Sequence, residues 1–408
     1  MIMRKLIFLW ILVVLVSCKE EKTHQLSEGT WLGQLEVMDG EKLPFNFNLS
    51  KNGNGSYLIE IYNATEVIKV DEITVKGDSI RIQTPVFEGY ILGTFNQNSI
   101  KGSFVKESLD RVVPFEAFYG KKQRFSVDQP SSVNVSGIWE TEFSKGTPDS
   151  YMGKGIFAEN AGKVTGTFRT TTGDYRYLEG VVTGDSLKLS AFDGAHAFLF
   201  TAKVTDSILN GIFYSDNHFQ EPFVAKRNES FELPEADSLT FLKDGYDKFA
   251  FSFPDSEGKL VSLTDKRFQN KVVLVQIMGS WCPNCLDETK FYVNYLRDTR
   301  GEDMEMVGLA FEYAKTEELA FKSIERLKQR IGVEYPILLA QYGTSDKEKA
   351  QQKLPMLNQV LSYPTTLFID KKGNVRKIHT GFNGPATGAK YTRFKKEFDA
   401  YVKMLLSE

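Results

Sequence analysis

Two cysteines with two residues between them stand in the run Gly279-Ser280-Trp281-Cys282-Pro283-Asn284-Cys285. The run follows an apolar stretch, Val272 to Met278, that reads as a strand. It precedes a helical pattern whose buried face is marked by Leu286, Thr289, Val293 and Leu296. A strand that hands Cys-x-x-Cys to a helix N-terminus meets two requirements of thiol chemistry at once. The first sulfur lies where unpaired backbone N–H groups and the positive end of the helix dipole favour its nucleophilic form. The second lies one turn later, within bridging distance. Pro283 fits the first helical turn, where a missing N–H costs nothing. A zinc site would need further Cys or His ligands at matching spacing, and the chain has no such pair. A structural disulfide over so short a loop has the smallest loop-closure benefit available. The spacing points to a redox-active dithiol, with neither a metal nor a cofactor called for.

The elements that must carry this dithiol can be read on either side of it. Met306 to Phe311, Ile337 to Ala340 and Thr365 to Ile369 are apolar, strand-like runs. Ala320, Ile324, Leu327 and Ile331 share one helix face, and Thr316 with Glu317 and Glu318 makes an N-terminal cap. Phe394, Phe398, Tyr401 and Leu405 form the stripe of a final amphipathic helix. An α/β domain over 249–408 is expected.

In these motifs the domain resembles the thioredoxin fold, and more closely the TlpA/ResA-like branch of exported thiol-disulfide oxidoreductases. The resemblance rests on Phe253-Pro254-Asp255, Gly258-Lys259 and Val261-Ser262-Leu263, on the strand and dithiol from Lys271 to Cys285, and on the run Ser362 to Asp370. It implies a cis peptide at Pro364, lying against the dithiol, and a substrate-facing set of Trp281, Pro283, Tyr363, Pro364 and Thr365. The buried Asp that thioredoxins proper carry before the motif is replaced by Gln276. In the ResA-like branch a Glu three residues after the second Cys serves instead, and Glu288 stands there. One helical turn beyond Cys285, it could take the proton of that thiol; the competing reading is a solvated surface carboxylate. The implied activity is dithiol exchange with protein disulfide or dithiol substrates, in the direction of reduction, with re-reduction by a membrane electron donor such as a thiol-disulfide interchange transporter.

The N-terminal half has a different period. From Gly29 to about Arg227, alternating segments such as Phe45, Phe47 and Leu49 or Tyr57, Ile59 and Ile61 read as half-buried strands, separated by turn clusters such as KNGNG at 51–55 and TGDS at 183–186. Four landmarks recur in order at offsets of 107 to 109: Gly29-Thr30-Trp31 as Gly137-Ile138-Trp139, Gly77-Asp78-Ser79 as Gly184-Asp185-Ser186, Gly102-Ser103-Phe104 as Gly211-Ile212-Phe213, and Pro114-Phe115 as Pro222-Phe223. Two antiparallel barrels or sandwiches follow, at 29–123 and 133–228, joined by a segment of linker composition. Trp31 and Trp139 read as core plugs, and His196 and His218 as isolated polar strand residues. A connector, 229–248, leads into the α/β domain. His379, weighed as a third ligand in a copper site, reads as an ordinary strand position. An alternative role for the whole chain is that of an envelope binding lipoprotein, its repeats holding a peptide, glycan or lipid while the thioredoxin-like domain is auxiliary.

The first residues address the chain. Arg4 and Lys5 precede an apolar run from Leu6 to Val16, too short at 1.5 Å per residue to cross a core of about 30 Å, so it reads as a signal sequence over 1–17. Leu15-Val16-Ser17-Cys18 resembles a lipobox, which makes Cys18 the lipidated first residue of the mature chain, followed by a tether to residue 28. Lys19 in place of Asp favours the outer membrane, on its periplasmic face or at the cell surface. Fifty Lys and Arg against 53 Asp and Glu leave no basic field for nucleic acid, and three cysteines exclude a disulfide scaffold.

Overall fold

Alternation of apolar and polar residues through the first repeat closes its strands around a single interior. The computed structural model describes residues 25–408. The signal sequence and Cys18 lie outside the described residues. Nine antiparallel strands between Gly29 and Tyr119 form one sheet, and its two edge strands are consecutive in the chain: Glu66–Val70 and Glu72–Lys76, joined through Asp71. The seam of this nearly closed barrel is therefore one strand bent at a single residue. The second repeat is a fully closed barrel of eight strands, in which Gly137–Phe143 pairs with both Tyr151–Asn160 and Phe219–Arg227. Closure leaves no unpaired sheet edge.

The repeat shows in detail. Trp31 and Trp139 are both fully buried at the first strand of their barrels. Each indole N–H donates to the carbonyl four residues earlier, Ser27 and Val135 respectively, at 2.9 Å. The second barrel is filled by Phe143, Phe168, Phe200, Phe213 and Phe223, packed in stacked and edge-on pairs. Such interdigitation makes its interior a core.

Three expectations about the barrels need correction. The tether does not run to residue 28, because Leu26 is buried in the first barrel and the Ser27 N–H bonds the Gln97 carbonyl. The segment between the repeats is docked: Arg124 is buried and donates to the Tyr62 and Ser190 carbonyls, which its linker composition did not foretell. His196 and His218 lie in hairpin turns, beside Asp193 and Asp216, and not on strands. The connector carries one 3-10 turn, Ala236–Ser238, whose Asp237 binds Lys377 at 2.8 Å and His379 at 2.7 Å.

The C-terminal domain is an α/β thioredoxin-like fold. Its sheet runs in the order Ile337–Gln341, Met304–Phe311, Val272–Met278, Thr365–Ile369, Val375–Thr380. The first three strands are parallel and the last two antiparallel to their neighbours. Val272–Met278 is buried at every position, as a central strand covered on both faces requires. Helices α1 (Pro283–Asp298), α2 (Glu317–Ile331), α3 (Lys347–Lys353) and α4 (Ala389–Ser407) cover it. The Thr316 cap is present, its hydroxyl accepting the Leu319 N–H. The short α3 carries no sequence periodicity long enough to show.

The barrels pack onto this domain through ion pairs, part-exposed at the first barrel and buried at the second. Arg326 of α2 binds Glu72 at 2.8 Å and Arg330 binds Asp71 at 2.7 Å, at the bend of the first barrel's seam. Arg176 of the second barrel is buried among Glu66, Asp193 at 3.6 Å and Asp287 of α1 at 2.9 Å, so one guanidinium joins all three domains. Removing the plug of the closed barrel tests the reading of its interior as a packed core. Trp139→Ala is expected to lower the stability of the second barrel by about 3–5 kcal/mol, seen as an earlier urea transition in near-ultraviolet dichroism.

Candidate active site

The strand Val272–Met278 ends in Gly279-Ser280-Trp281, and α1 begins immediately afterwards with Cys282 as its N-cap. Pro283 occupies the first helical position, as expected. The Cys285 N–H donates to the Cys282 sulfur at 3.2 Å, so an amide with no partner inside the helix is satisfied by the sulfur that must carry charge. On its other side the Cys282 thiol donates to the Tyr363 carbonyl at 3.3 Å. Both cysteines are free thiols; Cys282 keeps 4% of its surface exposed and Cys285 none. Burial, together with the adjacent Cys282, holds the Cys285 thiol well above its usual range.

The peptide between Tyr363 and Pro364 is cis, as the resemblance implied. Tyr363 is buried and packs edge-on against the half-buried Trp281. Thr365 does not face the dithiol groove as anticipated. It belongs to the sheet, pairing with Ile277 on one side and Thr380 on the other, and its hydroxyl bonds the Ser362 carbonyl at 2.9 Å. Its backbone is already used.

Glu288 is completely buried, which overturns the solvated reading. It accepts from Gln276 at 2.8 Å, Tyr292 at 3.0 Å and Thr366 at 3.2 Å. Burial raises its carboxyl to about 7, with these three donors pulling in the opposite direction. Gln276, in place of the thioredoxin Asp, donates to this carboxylate and so orients it. One turn before Glu288 on the same helix stands Cys285.

A second buried carboxylate went unread in the sequence. Glu312, one residue past the strand Met304–Phe311, accepts from the Ser280 N–H and the Ser280 hydroxyl, each at 2.7 Å. The Trp281 indole donates to the Phe311 carbonyl at 3.0 Å. These three bonds fix the loop that delivers Cys282. Burial raises Glu312 to about 7, against the pull of Ser280. Its signal was an acidic residue directly after the apolar run Met306 to Phe311, at the strand's carboxyl end.

A loop of the second barrel also reaches the site, which nothing in its sequence announced. Arg176 donates to the Pro283 carbonyl at 3.3 Å, and Asn284 pairs its amide with the Asp174 backbone at 3.2 and 3.3 Å. His379 lies on the strand Val375–Thr380 as expected and is paired to Asp237.

Residues 243–392 match the family described as Redoxin. Thioredoxin-like protein YneN of Bacillus subtilis (strain 168) is 26% identical over 140 residues, 34% of this chain and 73% of that protein. Thiol-disulfide oxidoreductase ResA of Geobacillus thermodenitrificans (strain NG80-2) is 28% identical over 131 residues, 32% of this chain and 66% of that protein. A solved thiol-disulfide oxidoreductase from Bacteroides fragilis NCTC 9343 aligns at 18% identity over 36% of this chain and 99% of its own, with a TM-score of 0.27. Behind two β-barrel repeats, then, residues 243–392 of this chain match the Redoxin family, and the C-terminal region is similar to thioredoxin-like and thiol-disulfide oxidoreductase proteins.

Proposed function

We propose that the protein is a membrane-anchored thiol-disulfide oxidoreductase that reduces protein disulfides by exchange through Cys282 and Cys285. The observation that carries this reading is the Cys285 N–H bonded to the Cys282 sulfur at the start of α1, with buried Glu288 one turn further on. Cys282, as thiolate, attacks one sulfur of the substrate disulfide. A mixed disulfide forms and the other substrate sulfur leaves as a thiolate. Cys285 gives its proton to Glu288 and attacks the Cys282 sulfur, releasing the second substrate thiolate and leaving Cys282–Cys285 oxidised. Two electrons have then passed to the substrate. A dithiol donor in the membrane must return them before the next cycle. Trp281, Pro283, Tyr363 and Pro364 border the exchanging sulfurs.

The anchor is assigned to Cys18, and the location to the outer membrane, on its periplasmic face or at the cell surface. Both rest on the sequence of the first 28 residues. The reading of the repeats as the principal binding modules finds less support, because the interior of the second barrel is occupied by its own aromatic side chains.

Replacing Cys285 by Ala removes the resolving thiol while leaving Cys282 to attack. Mixed disulfides with envelope proteins should accumulate on Cys282 in cells, visible on non-reducing gels and absent from the double variant. Their failure to appear would count against exchange as the function.

Glu288→Gln separates the proton acceptor from its scaffold. Glu288 must be ionised to take a proton, so resolution of the mixed disulfide should quicken as pH rises through about 7 in the parent. In the variant it should be slower by about tenfold to a hundredfold and lack that step, in rapid-mixing fluorescence. Stability should run the other way. The folded carboxyl sits above its unfolded value, so ionisation costs stability as pH rises from about 4.5 through about 7. The variant should gain on the parent across that window, by on the order of 3 kcal/mol above it, in denaturant titrations.

A further inference from the structure

Three segments meet at the dithiol turn: Pro283-Asn284 of α1, Ser362-Tyr363 before the cis proline, whose Tyr363 carbonyl accepts the Cys282 thiol, and the turn after Thr380 that begins at Gly381, whose N–H bonds the Pro364 carbonyl at 2.8 Å. One loop from the second barrel touches all three. The Thr172 carbonyl accepts the Ser362 hydroxyl at 3.0 Å. Gly173 forms a parallel β-bridge with Phe382. Asp174 pairs with the Asn284 amide through its backbone and accepts the Gly384 N–H through its carboxylate at 2.6 Å. The fit is close enough that a Cβ at Gly173 would stand 2.0 Å from the Asn284 side chain, at a φ of +150° that other residues rarely adopt.

Whether this loop is a lid or a wall is decided by what holds it. Arg176, two residues past Asp174, is buried and bound to Asp287, Asp193 and Glu66 in three different domains. Lifting the loop would part these ions in a medium that cannot solvate them, and each would be left buried without its partner. A lid needs two arrangements of similar energy, and these ion pairs favour the one seen.

Trp281 and Tyr363 pack edge-on beside the dithiol turn. There the Tyr363 N–H has no acceptor among the described residues, and the buried Tyr363 hydroxyl has no partner either. An extended chain supplies a backbone carbonyl for such an amide by strand-like pairing. The convex surface of a folded domain is poorly shaped to reach Cys282, which keeps 4% of its surface exposed.

We infer that the loop Thr171–Asp174 is a fixed wall of the substrate groove, and that it confines the dithiol to disulfides carried on extended polypeptide segments. The inference rests on the thiol-disulfide reading and adds the substrate class to it.

The full-length protein is compared with a variant lacking Thr171-Thr172-Gly173, on two substrates: an unstructured peptide closed by one disulfide, and a small folded protein with a surface disulfide. The parent should favour the peptide by at least about tenfold in kcat/KM. The deletion should raise kcat/KM for the folded protein about tenfold and leave the peptide within about twofold. Equal rates on both substrates in the parent, or an unchanged preference in a folded deletion variant, would overturn the wall. Amide exchange decides the matter even if the deletion does not fold. In Cys285→Ala protein, the Thr172, Arg176 and Gly384 amides should keep their protection once the peptide is trapped on Cys282; loss of protection means the loop moves aside, and the proposal fails. If the parent reduces neither substrate, it is the underlying exchange activity that falls.

Discussion

The first turn of α1 is where the demands on this molecule meet. A backbone amide that helix geometry leaves without a partner points at the Cys282 sulfur, and the sulfur can use it only while the helix start, the preceding loop and the cis-proline segment stay in register. Each neighbour contributes to that register. Glu312 grips Ser280, the Phe311 carbonyl holds the Trp281 ring, and Arg176 caps the outer side of the turn through the Pro283 carbonyl and Asp287. The central strand is apolar but for Gln276, whose amide is engaged by Glu288 and Thr289.

Two carboxyl groups sit in this otherwise dry surrounding, one beside each half of the dithiol loop. Burial raises both Glu288 and Glu312 to about 7, so both change charge near neutral pH. They differ in what they touch. Glu312 is spent on holding the loop ahead of Cys282, whereas Glu288 is held by Gln276, Tyr292 and Thr366, on the helix of Cys285. The first is a positioning group and the second is placed for proton transfer.

Much of this was legible from the chain alone. The strand Val272–Met278 and the start of α1 follow from a run, apolar but for Gln276, that meets Cys-Pro-x-Cys, because each signal is local. The repeat was legible because Gly-x-Trp and Pro-Phe recur at a nearly constant offset. The role of Thr365 was misread, since its place in the sheet depends on pairing with Ile277 and Thr380, far away in sequence. Glu288 looked ambiguous for the same kind of reason: its burial is set by Gln276 and Thr366, on two other strands. The contact of Thr172-Gly173-Asp174 with the dithiol had no local signal at all. A hairpin loop with two threonines, a glycine and an aspartate reads as an ordinary turn, and only assembly of three domains gives it a task.

The bend at Asp71 gives the first barrel a dependence that the second does not have. Its seam is crossed by one kinked strand, and the carboxylates at that kink are gripped by Arg326 and Arg330 of α2. The second barrel closes through its own strands, whereas the seam of the first is braced by the C-terminal domain. Excising the C-terminal half would therefore free two carboxylates at the weakest point of a neighbouring sheet, and the severed N-terminal piece would tend to gape there. The three parts are better regarded as one cooperative body than as cargo on a stalk.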